Sequence, residues 1–543
     1  MNPDPSSLAR VRIRLEPLGV EVDVPLGGSL VAALAALGLE FPCGGMGECG
    51  GCGVRVLSGA FPITDADRTV FSDDRLAAGW RLACRARPDS QPVSPLVLEC
   101  GQWHMEVLSD SGCPSISATV APSFPAVSSQ KRVGDSCSIL SESAAVDSER
   151  VGKRTKRTHG LGIAIDLGTT TIAAQLVDFA TGDVLGVETL LNPQAASGSD
   201  VMSRIRAALD GTDHTSPIRA ALGQLVARLA AGRAPQIAEV LLVGNTVMHH
   251  LFSGLSVEPL SHVPFQSPHL AEQHFTPREL GWNLPAACTI RFARCIGGFV
   301  GSDILAGIIA AGIANGPDLS ALIDLGTNGE IAIGNQAGIV CASTAAGPAF
   351  EAGAIRMGMR AVTGAISYVS LASGTLRATV IGDVAPRGIC GSGLVDAVAA
   401  GLRSGAILSN GRIANGARLF PVAAPVVLYQ SDIRELQLAK GAVAAGFRLL
   451  LKRIEASIAS LHAIHLAGAF GNYVQIESAI RIGLIEAPHA LIHAAGNTAL
   501  RGAKLLLLAA EEPPLPPIEH VSLAADPAFQ DEFARCMTFP APA

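Results

Sequence analysis

The chain has 543 residues, of which 49% are apolar and only 4% aromatic, and its net charge is −7. This length predicts three or four domain-sized units, and the alanine- and glycine-rich composition favours helices packed closely on sheets. The sequence has no basic block that resembles a nucleic-acid footprint and no apolar stretch of about 18 residues, which argues against nucleic-acid and membrane partners. Its polar start lacks a secretory apolar region, so we expect a cytoplasmic protein whose twelve cysteines are metal ligands or buried thiols.

Residues 1–100 predict a small β-rich domain that carries a cysteine loop. Val11–Leu15 and Val20–Val24 alternate apolar and polar residues, as half-buried hairpin strands do. Ser29–Leu39 predicts a short helix before the loop. The cysteines are spaced C-x5-C-x2-C, with a fourth after 31 further residues, and they are Cys43, Cys49, Cys52 and Cys84.

This cysteine spacing indicates a [2Fe–2S] cluster. Three thiolates on one glycine-rich loop and a fourth from a distant segment can enclose such a cluster. Glycines let the loop wrap closely around the inorganic core, with backbone N–H groups directed at its sulfurs. A structural zinc site usually takes two close cysteine pairs, which this spacing does not provide. The loop and its flanking strands resemble a β-grasp ferredoxin over about residues 8–100, which implies one-electron transfer.

Residues 101–159 predict a flexible linker. Serine, proline, alanine and valine crowd Ser109–Ser148 without sustained periodicity. A short basic run from Lys153 to His159 completes the segment. We interpret this run as solvated linker, and docking of an acidic partner is the alternative.

Residues 160–543 contain one short motif twice. Ile165–Thr171 reads IDLGTTT, and Ile323–Glu330 reads IDLGTNGE. Each copy lies between two apolar segments, which predicts a strand, a tight turn and a second strand. Such a repeat indicates two related half-domains that face each other across a cleft. A pair of ordinary hairpin turns is the alternative interpretation.

The chemistry of these two turns suits a nucleotide phosphate. Glycines and threonines provide backbone N–H groups and hydroxyls for an anion-binding concavity. Asp166 and Asp324 would repel phosphate unless a cation lies between them, so the pair implies Mg²⁺. No GxxxxGK[ST] motif occurs and the glycine turn opens a strand, which excludes a P-loop.

Later segments supply further candidates for the site. Asp303 could order Mg²⁺ or the attacking water, or it could simply cap a helix. Glu351 lies on a constrained loop and is a catalytic candidate. Gly391–Gly393 open a helix whose N–H groups could hold phosphate or ribose. Gly468 and Gly471 would let the backbone lie flat against an adenine ring.

Val240–His250 predicts a buried strand that enters a helix. Asn245 and Thr246 could contact a ligand, although a helix N-cap is the simpler interpretation. His249 and His250 have no cysteine or carboxylate partner at metal-ligand spacing, and we interpret them as structural histidines.

The order of these motifs resembles the acetate/sugar kinase, chaperone and actin (ASKHA) superfamily. The resemblance implies an α/β fold with two duplicated RNase H-like lobes, about residues 160–317 and 318–543. It assigns Asp166 and Asp324 to catalysis. Together with the helix start described above, it predicts that ATP is bound by Gly168, Thr169, Thr170, Gly326, Thr327, Asn328, Gly391, Ser392, Gly393, Gly468 and Gly471.

A ferredoxin fused to such an ATPase resembles the reductive activators of corrinoid proteins, over nearly the whole chain. Three segments that carry this resemblance are Val243–Leu251, Ala345–Glu351 and Cys390–Leu394. The resemblance implies that an inactive Co(II) corrinoid protein or methyltransferase is returned to Co(I) by one electron from the cluster, with ATP and Mg²⁺ as the other cofactors. It implies a corrinoid protein and an electron donor as partners and leaves a homodimer open. Some members carry a small middle domain before the ATPase, for which residues 101–159 leave too little room.

Two other functions fit parts of the pattern. One is ATP-driven electron donation to another low-potential enzyme, as in the 2-hydroxyacyl-CoA dehydratase activators, which hold their cluster at a subunit interface. Cys390 lies where a ligand of that kind would lie, but no second suitable cysteine is evident. The other is a small-molecule kinase with a redox-sensing ferredoxin domain, for which the sequence offers neither an identifiable acceptor pocket nor its base.

Overall fold

A computed structural model describes residues 10–16, 20–35, 47, 52–88, 96–100, 159–198, 200–471, 473–509 and 511–541. The predicted linker, apart from His159, lies outside these residues, as do Cys43 and Cys49. Across the described ranges, no helix is both long enough and apolar enough to cross a membrane.

The N-terminal domain is a five-stranded sheet with short helices. Its elements are β1 (Arg10–Glu16), β2 (Val20–Pro25), α1 (Val31–Ala35), β3 (Gly53–Ser58), α2 (Asp65–Val70), α3 (Asp73–Ala77), β4 (Trp80–Leu82) and β5 (Leu96–Cys100). The strand order is β2-β1-β5-β3-β4. β1 and β2 pair antiparallel, which confirms the predicted hairpin, and β1 alternates so that Val11, Ile13 and Leu15 enter the core. The predicted helix begins at Val31, and the second half of its predicted range lies outside the described residues.

A first lobe follows and is built on a six-stranded sheet. Its elements are β6 (Leu161–Leu167), β7 (Thr171–Asp178), β8 (Val184–Leu191), α4 (Val201–Leu209), α5 (Thr215–Leu229), β9 (Ile237–Val243), α6 (Thr246–Ser253), β10 (Gln273–Phe275), α7 (Pro277–Leu280), β11 (Thr289–Phe292) and α8 (Ser302–Ala311). The strand order is β10-β11-β9-β6-β7-β8. Strands β6 and β9 are buried along nearly their whole length, because helices cover both faces of the sheet there.

The second lobe contains another six-stranded sheet and two smaller ones. Its elements are β12 (Ser320–Leu325), β13 (Gly329–Asn335), β14 (Gly338–Thr344), β15 (Ala365–Ala372), β16 (Thr375–Val380), β17 (Gly388–Ile389), α9 (Gly391–Arg403), β18 (Leu419–Ala423), β19 (Val426–Tyr429), α10 (Gln430–Arg453), β20 (Ala463–Ala467), α11 (Gly468–Gly471), α12 (Ile476–Arg481), β21 (Ile492–Gly496), α13 (Thr498–Leu508), β22 (Ile518–His520) and α14 (Phe529–Cys536). The order of the large sheet is β21-β20-β12-β13-β14-β22.

The two large sheets repeat one topology. In each, three antiparallel strands in sequence (β6-β7-β8 and β12-β13-β14) are extended on the side of the first strand. β6 pairs in parallel with β9, and β12 pairs in parallel with β20. This arrangement is the duplicated RNase H-like fold that the repeated motif predicted, and the predicted fold class is confirmed.

Two helices connect the lobes through the centre of the molecule. α13 follows β21 of the second lobe, yet Ala499 and Leu506 pack with Ala164 and Val243 of the first lobe. α13 also lies directly on α8, since Gly502 leaves no room for a Cβ against the backbone of Ala306. The first residues of α8 and α13 therefore lie at the cleft, beside the strand ends that carry the repeated motif.

Candidate nucleotide site and cysteine centre

The repeated turns meet at the cleft between the lobes. The first joins β6 to β7 and the second joins β12 to β13, each directly after an aspartate near the end of a buried strand. The side-chain hydroxyl oxygens of Thr170 and Thr327 are 3.4 Å apart. Within the second turn, the N–H of Gly326 donates to the carbonyl of Asn328 at 3.0 Å. The fold thus brings together both of the turns that the sequence assigned to phosphate.

The aspartates of the two turns are poorly solvated. Burial raises the pKa of Asp166 to about 6, and a hydrogen bond from Asn497 acts in the opposite sense. Burial and the charge of Asp166 raise the pKa of Asp324 to about 7. Two carboxylates that are costly to ionise together provide a site where a cation would be strongly favoured.

Asp303 and Glu330 add two further carboxylates to this part of the cleft. Asp303 lies in the first turn of α8, where its Oδ1 accepts from the N–H of Ile304 at 2.8 Å. Burial raises its pKa, and so do the charges of Asp324 and Asp166. Burial and the charges of Asp303 and Asp324 likewise raise the pKa of Glu330. Among the described residues, no three His, Cys, Asp or Glu side chains already converge as a metal-binding group, so these carboxylates are neighbours and not a finished coordination shell.

Glu351 lies at the meeting point of the two turns. Its Oε2 accepts from the Thr327 hydroxyl at 2.9 Å, and burial raises its pKa, against hydrogen bonds from Thr327 and Thr170. The constrained loop noted in the sequence thus places a carboxylate beside both turns. A carboxylate there can accept a proton from a water molecule that attacks a bound phosphate.

Arg204 supports the first turn from behind, and the sequence did not single it out. This fully buried side chain donates to the carbonyls of Thr169 and Gly198 and to Oε1 of Gln194. Burial lowers its pKa to about 10, so the guanidinium stays charged at neutral pH. No sequence pattern marks Arg204, because the backbone carbonyls that accept its hydrogen bonds come together only in the folded protein.

Two asparagines extend the site, and a second short repeat links them. Asn245 caps α6, as predicted, and its Nδ2 also donates to the Thr169 hydroxyl at 2.9 Å. Asn497 caps α13 and donates to Oδ2 of Asp166 at 2.9 Å. Each asparagine is the middle residue of a Gly-Asn-Thr triplet that follows a strand. This repeated triplet is the signal that could have identified Asn497 from the sequence.

The glycines of the predicted adenosine motif lie directly behind the second turn. Gly468 has a φ of +86°, and a Cβ there would come within 2.5 Å of Oδ1 of Asp324. A Cβ on Gly471 would come within 3.2 Å of the carbonyl carbon of Leu466. Only a residue without a side chain lets the backbone at Gly468, directly after β20, approach Asp324 this closely.

The helix start at Gly391, Ser392 and Gly393 lies in the interior. Gly391 faces the carbonyl oxygen of Phe350, and Gly393 faces that of Ile366, without room for a Cβ. The Ser392 hydroxyl donates to the carbonyl of Ser367 at 2.8 Å. Close packing accounts for these residues, and their predicted contact with phosphate or ribose stays a prediction.

His249, His250 and Cys390 pack against or hydrogen-bond to neighbouring protein groups. His250 bonds through both ring nitrogens, to the carbonyl of Thr246 and to the hydroxyl of Ser267, each at 2.7 Å. The ring of His249 packs edge-on against Phe292. Cys390 is buried at the N-cap of α9 with its sulfur 3.3 Å from the Ser392 hydroxyl.

Two of the four predicted cluster cysteines are described, and they lie on adjacent segments. Cys52 and Cys84 are only 1% and 2% exposed. Gly53 pairs with Leu82, and the N–H of Ala83 donates to the carbonyl of Cys52 at 3.1 Å. Gly47, from the loop between Cys43 and Cys52, has a φ of +82°, and a Cβ there would come within 2.7 Å of Nε of Arg85. Gly47 therefore lies against the segment that carries Cys84.

Asp67 fixes the segment that carries Cys84. This carboxylate is 1% exposed. Its Oδ1 accepts from the N–H of Leu82, and its Oδ2 accepts from the N–H of Thr64, both at 2.7 Å. The buried aspartate thus joins the start of α2 to the end of β4, two residues before the cysteine.

The fold and site define an iron–sulfur ATPase, and comparison with known proteins identifies its family. Sequence models match a 2Fe-2S iron-sulfur cluster binding domain at 13–89, the RACo middle region at 161–316, and the C-terminal domain of RACo, described as the ASKHA domain, at 318–543. The middle-region match covers the first lobe described above. The chain belongs to the RACo family, the reductive activators of corrinoid proteins.

Individual relatives extend this similarity along the chain. This chain is 30% identical to the corrinoid activation enzyme RamQ of Eubacterium limosum, over 96% of this chain and 98% of that protein. It is 26% identical to the [Co(II) methylated amine-specific corrinoid protein] reductase of Methanosarcina barkeri, over 64% and 70% of the two chains. A solved structure, the reductive activator for corrinoid,iron-sulfur protein, aligns with a TM-score of 0.62 and 25% identity over 98% of each chain.

Proposed function

We propose that this protein returns an inactive Co(II) corrinoid protein to Co(I), with one electron from its [2Fe–2S] cluster in a reaction that requires ATP. The observation that carries the proposal is the union, in one chain, of a domain with buried Cys52 and Cys84 and a cleft with the paired turns at Asp166 and Asp324. A metabolite kinase needs only the cleft, and a simple electron carrier needs only the cysteines. The family's activators provide a use for both.

We propose that Cys43, Cys49, Cys52 and Cys84 hold the cluster. Thiolate ligands and a glycine-rich loop suit a [2Fe–2S] core, and Gly47, between Cys43 and Cys49 in the chain, lies beside Arg85, the residue after Cys84. Asp67 keeps this segment in place through the N–H of Leu82. Because a rigid ligand set changes little on gaining an electron, these contacts favour rapid one-electron transfer.

For the nucleotide, we propose that the turns at Gly168–Thr170 and Gly326–Asn328 bind the phosphates. Asp166 and Asp324 would hold Mg²⁺, with Asp303 and Glu330 nearby, because the pKa of each carboxyl group is raised by burial in this cleft. Bound Mg²⁺ would supply charge that offsets both the carboxylates and the phosphates. Glu351 would accept the proton of the attacking water. Gly468 and Gly471 would face the adenine.

ATP would be needed because the electron must move to a poor acceptor. A ferredoxin-type cluster lies near about −400 mV, and the family resemblance implies that free Co(II) corrinoid is harder to reduce. Each ~100 mV of unfavourable potential costs about 2.3 kcal/mol for one electron. Closure of the two lobes around ATP can meet this cost only if the closed state binds one form of the corrinoid protein more tightly than the other.

The test mixes the reduced protein, Mg-ATP and a Co(II) corrinoid protein under anaerobic conditions and follows the Co(I) absorption spectrum. We expect Co(I) to form with ATP and far less of it without ATP. Asp324→Asn should remove the effect of ATP, whereas Asp318→Asn, at an exposed position ahead of β12, should not. No Co(I) beyond the ATP-free reaction would overturn the proposal, and phosphate transferred to a small acceptor would favour a kinase.

A further inference from the structure

The iron–sulfur domain contacts the first lobe close to the nucleotide turn. Cα atoms of α1 lie within 8 Å of Cα atoms of the 3₁₀ turn Pro193–Ser197, which we call the seat. We propose that the seat is the docking surface of the iron–sulfur domain, and that nucleotide in the cleft controls this docking. The inference rests on the proposed use of the paired turns for ATP.

The seat is bonded directly to the backbone of the first turn. Asn192, only 1% exposed, caps the seat by accepting from the N–H of Gln194. Its Nδ2 donates to the carbonyl of Gly168, and its own N–H donates to the carbonyl of Thr170, both at 2.9 Å. One buried asparagine therefore joins the seat to both ends of the segment proposed to bind phosphate.

Arg204 provides a second connection. Its guanidinium donates to the carbonyl of Thr169 and, at 3.3 Å, to Oε1 of Gln194 within the seat. Gln194 is 3% exposed and donates in turn to the carbonyl of His214. Because these buried partners would lose hydrogen bonds if they moved apart, a shift of the turn on phosphate binding carries the seat with it.

The same domain also lies near the second lobe. The guanidinium of Arg75, in α3, lies 4.3 Å from the centre of the Trp80 ring. Burial lowers the pKa of Arg75, and the charge of Tyr429, in the second lobe, acts in the opposite sense. The guanidinium of Arg356, also in the second lobe, lies 4.5 Å from the centre of the Tyr429 ring.

Contact with the seat and proximity to Tyr429 make the position of the iron–sulfur domain sensitive to the cleft. If nucleotide draws the lobes together, the seat and Tyr429 move relative to each other, and the domain cannot keep its distance from both unchanged. The helix at the seat, α1, precedes the cysteine loop in the chain. Nucleotide would thus set how firmly the cluster-bearing domain is held on the ATPase.

Hydrogen–deuterium exchange of the α1 peptide tests this in the full-length protein with its cluster. The probe is a Mg²⁺ complex of a non-hydrolysable ATP analogue, and its binding is measured separately by calorimetry. We expect the analogue to change α1 exchange by about fivefold or more, the low end of coupling between linked sites. Ala195→Arg, within the seat, should abolish this response, while Ala180→Arg, exposed in the turn between β7 and β8, should preserve it.

Each outcome bears on a different claim. If the analogue binds and α1 exchange stays unchanged, or if Ala195→Arg still responds in full, docking at the seat is not controlled by nucleotide. If the analogue does not bind at all, the proposed ATPase function fails first. Arg75→Ala offers a second variant should Ala195→Arg not fold. If the cluster absorbance of Arg75→Ala is intact, this variant should lose most of the change in α1 exchange. An undiminished change would count against the inference.

Discussion

The hydroxyl oxygens of Thr170 and Thr327 lie 3.4 Å apart, although the two residues are 157 positions apart in the chain. Glu351 accepts from Thr327 beside this contact, at 2.9 Å. The two lobes therefore touch through side chains that belong to the turns proposed to bind phosphate. If ATP binds there as proposed, it has to replace these hydrogen bonds, and the contact would link the nucleotide directly to the position of the lobes.

Replacing Glu351 by glutamine should separate nucleotide binding from hydrolysis. The amide keeps the size of the side chain but cannot accept a proton from water, so we expect ATP hydrolysis to fall by about 10²–10⁴-fold, the usual contribution of a general base. The affinity for ATP should be retained or increase, because a negative charge near the phosphates is removed. Glu477→Gln, at an exposed position of α12, is the matched control. Undiminished hydrolysis in Glu351→Gln would exclude this role.

Cys84→Ala should remove the cluster and leave ATP binding in place. Loss of one of four thiolates is expected to abolish the visible absorption of the [2Fe–2S] centre and all electron transfer. ATP should still bind, as measured by calorimetry, because none of the residues proposed to bind ATP belongs to the iron–sulfur domain. Cys288→Ala, in the core of the first lobe, should retain the cluster. A full cluster spectrum in Cys84→Ala would show that the ligand set is wrong.

Arg204→Met should weaken the first lobe. The carbonyls of Thr169 and Gly198 would stay buried without their donor, and an unsatisfied buried acceptor costs about 1–3 kcal/mol. We expect a lower unfolding temperature for the ATPase lobes and weaker ATP binding, since Thr169 belongs to the first turn. Arg206→Met, exposed on the same helix, should change neither. Equal stability of the two variants would contradict the assigned contacts.

Stability without nucleotide or divalent cation should fall as the pH rises from about 4 to about 7. Burial raises the pKa of Asp166 to about 6 and that of Asp324 to about 7, from 3.8. In this range the folded state binds more protons than the unfolded state, so each increase in pH favours unfolding. Below the range both states are protonated, and above it the full cost of ionisation is present.

Calorimetric melting at pH 5 and pH 8, with a chelator present, measures this dependence. Asp324→Asn should reduce the difference in melting temperature, and Asp318→Asn should leave it unchanged. Mg²⁺ with an ATP analogue should raise the melting temperature most at pH 8, where the carboxylates are ionised. A melting temperature that rises with pH in the chelated protein would show that the aspartates are not destabilised by burial.

Much of the architecture could be predicted from short patterns. Apolar and polar residues alternate in β1 and β2, which indicates that one face of each strand is buried. The continuous apolar runs before Asp166 and Asp324 indicate strands that are buried on both faces. The repeated motif predicted duplicated lobes because the same turn in the same setting requires the same neighbouring strands. The cysteine spacing indicated its cluster for a similar reason, since ligand geometry limits how a single loop can wrap.

Sequence reasoning did not identify two residues that serve distant elements. Asn497 reaches Asp166 across 331 positions, and Arg204 is buried because distant carbonyls need a donor. The close approach of Gly391 and Gly393 to the backbone of Phe350 and Ile366 was also not foreseen, and their predicted contact with phosphate or ribose stays a prediction. A local sequence pattern does not indicate which distant segment packs beside a residue in the folded protein.

The sequence by itself determined the class of domains and the two repeated turns and predicted the set of cluster cysteines, because each depends on spacing within one segment. Tertiary structure alone decided that Thr170 meets Thr327, that Glu351 lies between them, and that the seat joins the iron–sulfur domain to the first turn. These are relations between segments, and their energies arise from burial and hydrogen bonds that exist only once the lobes have packed together.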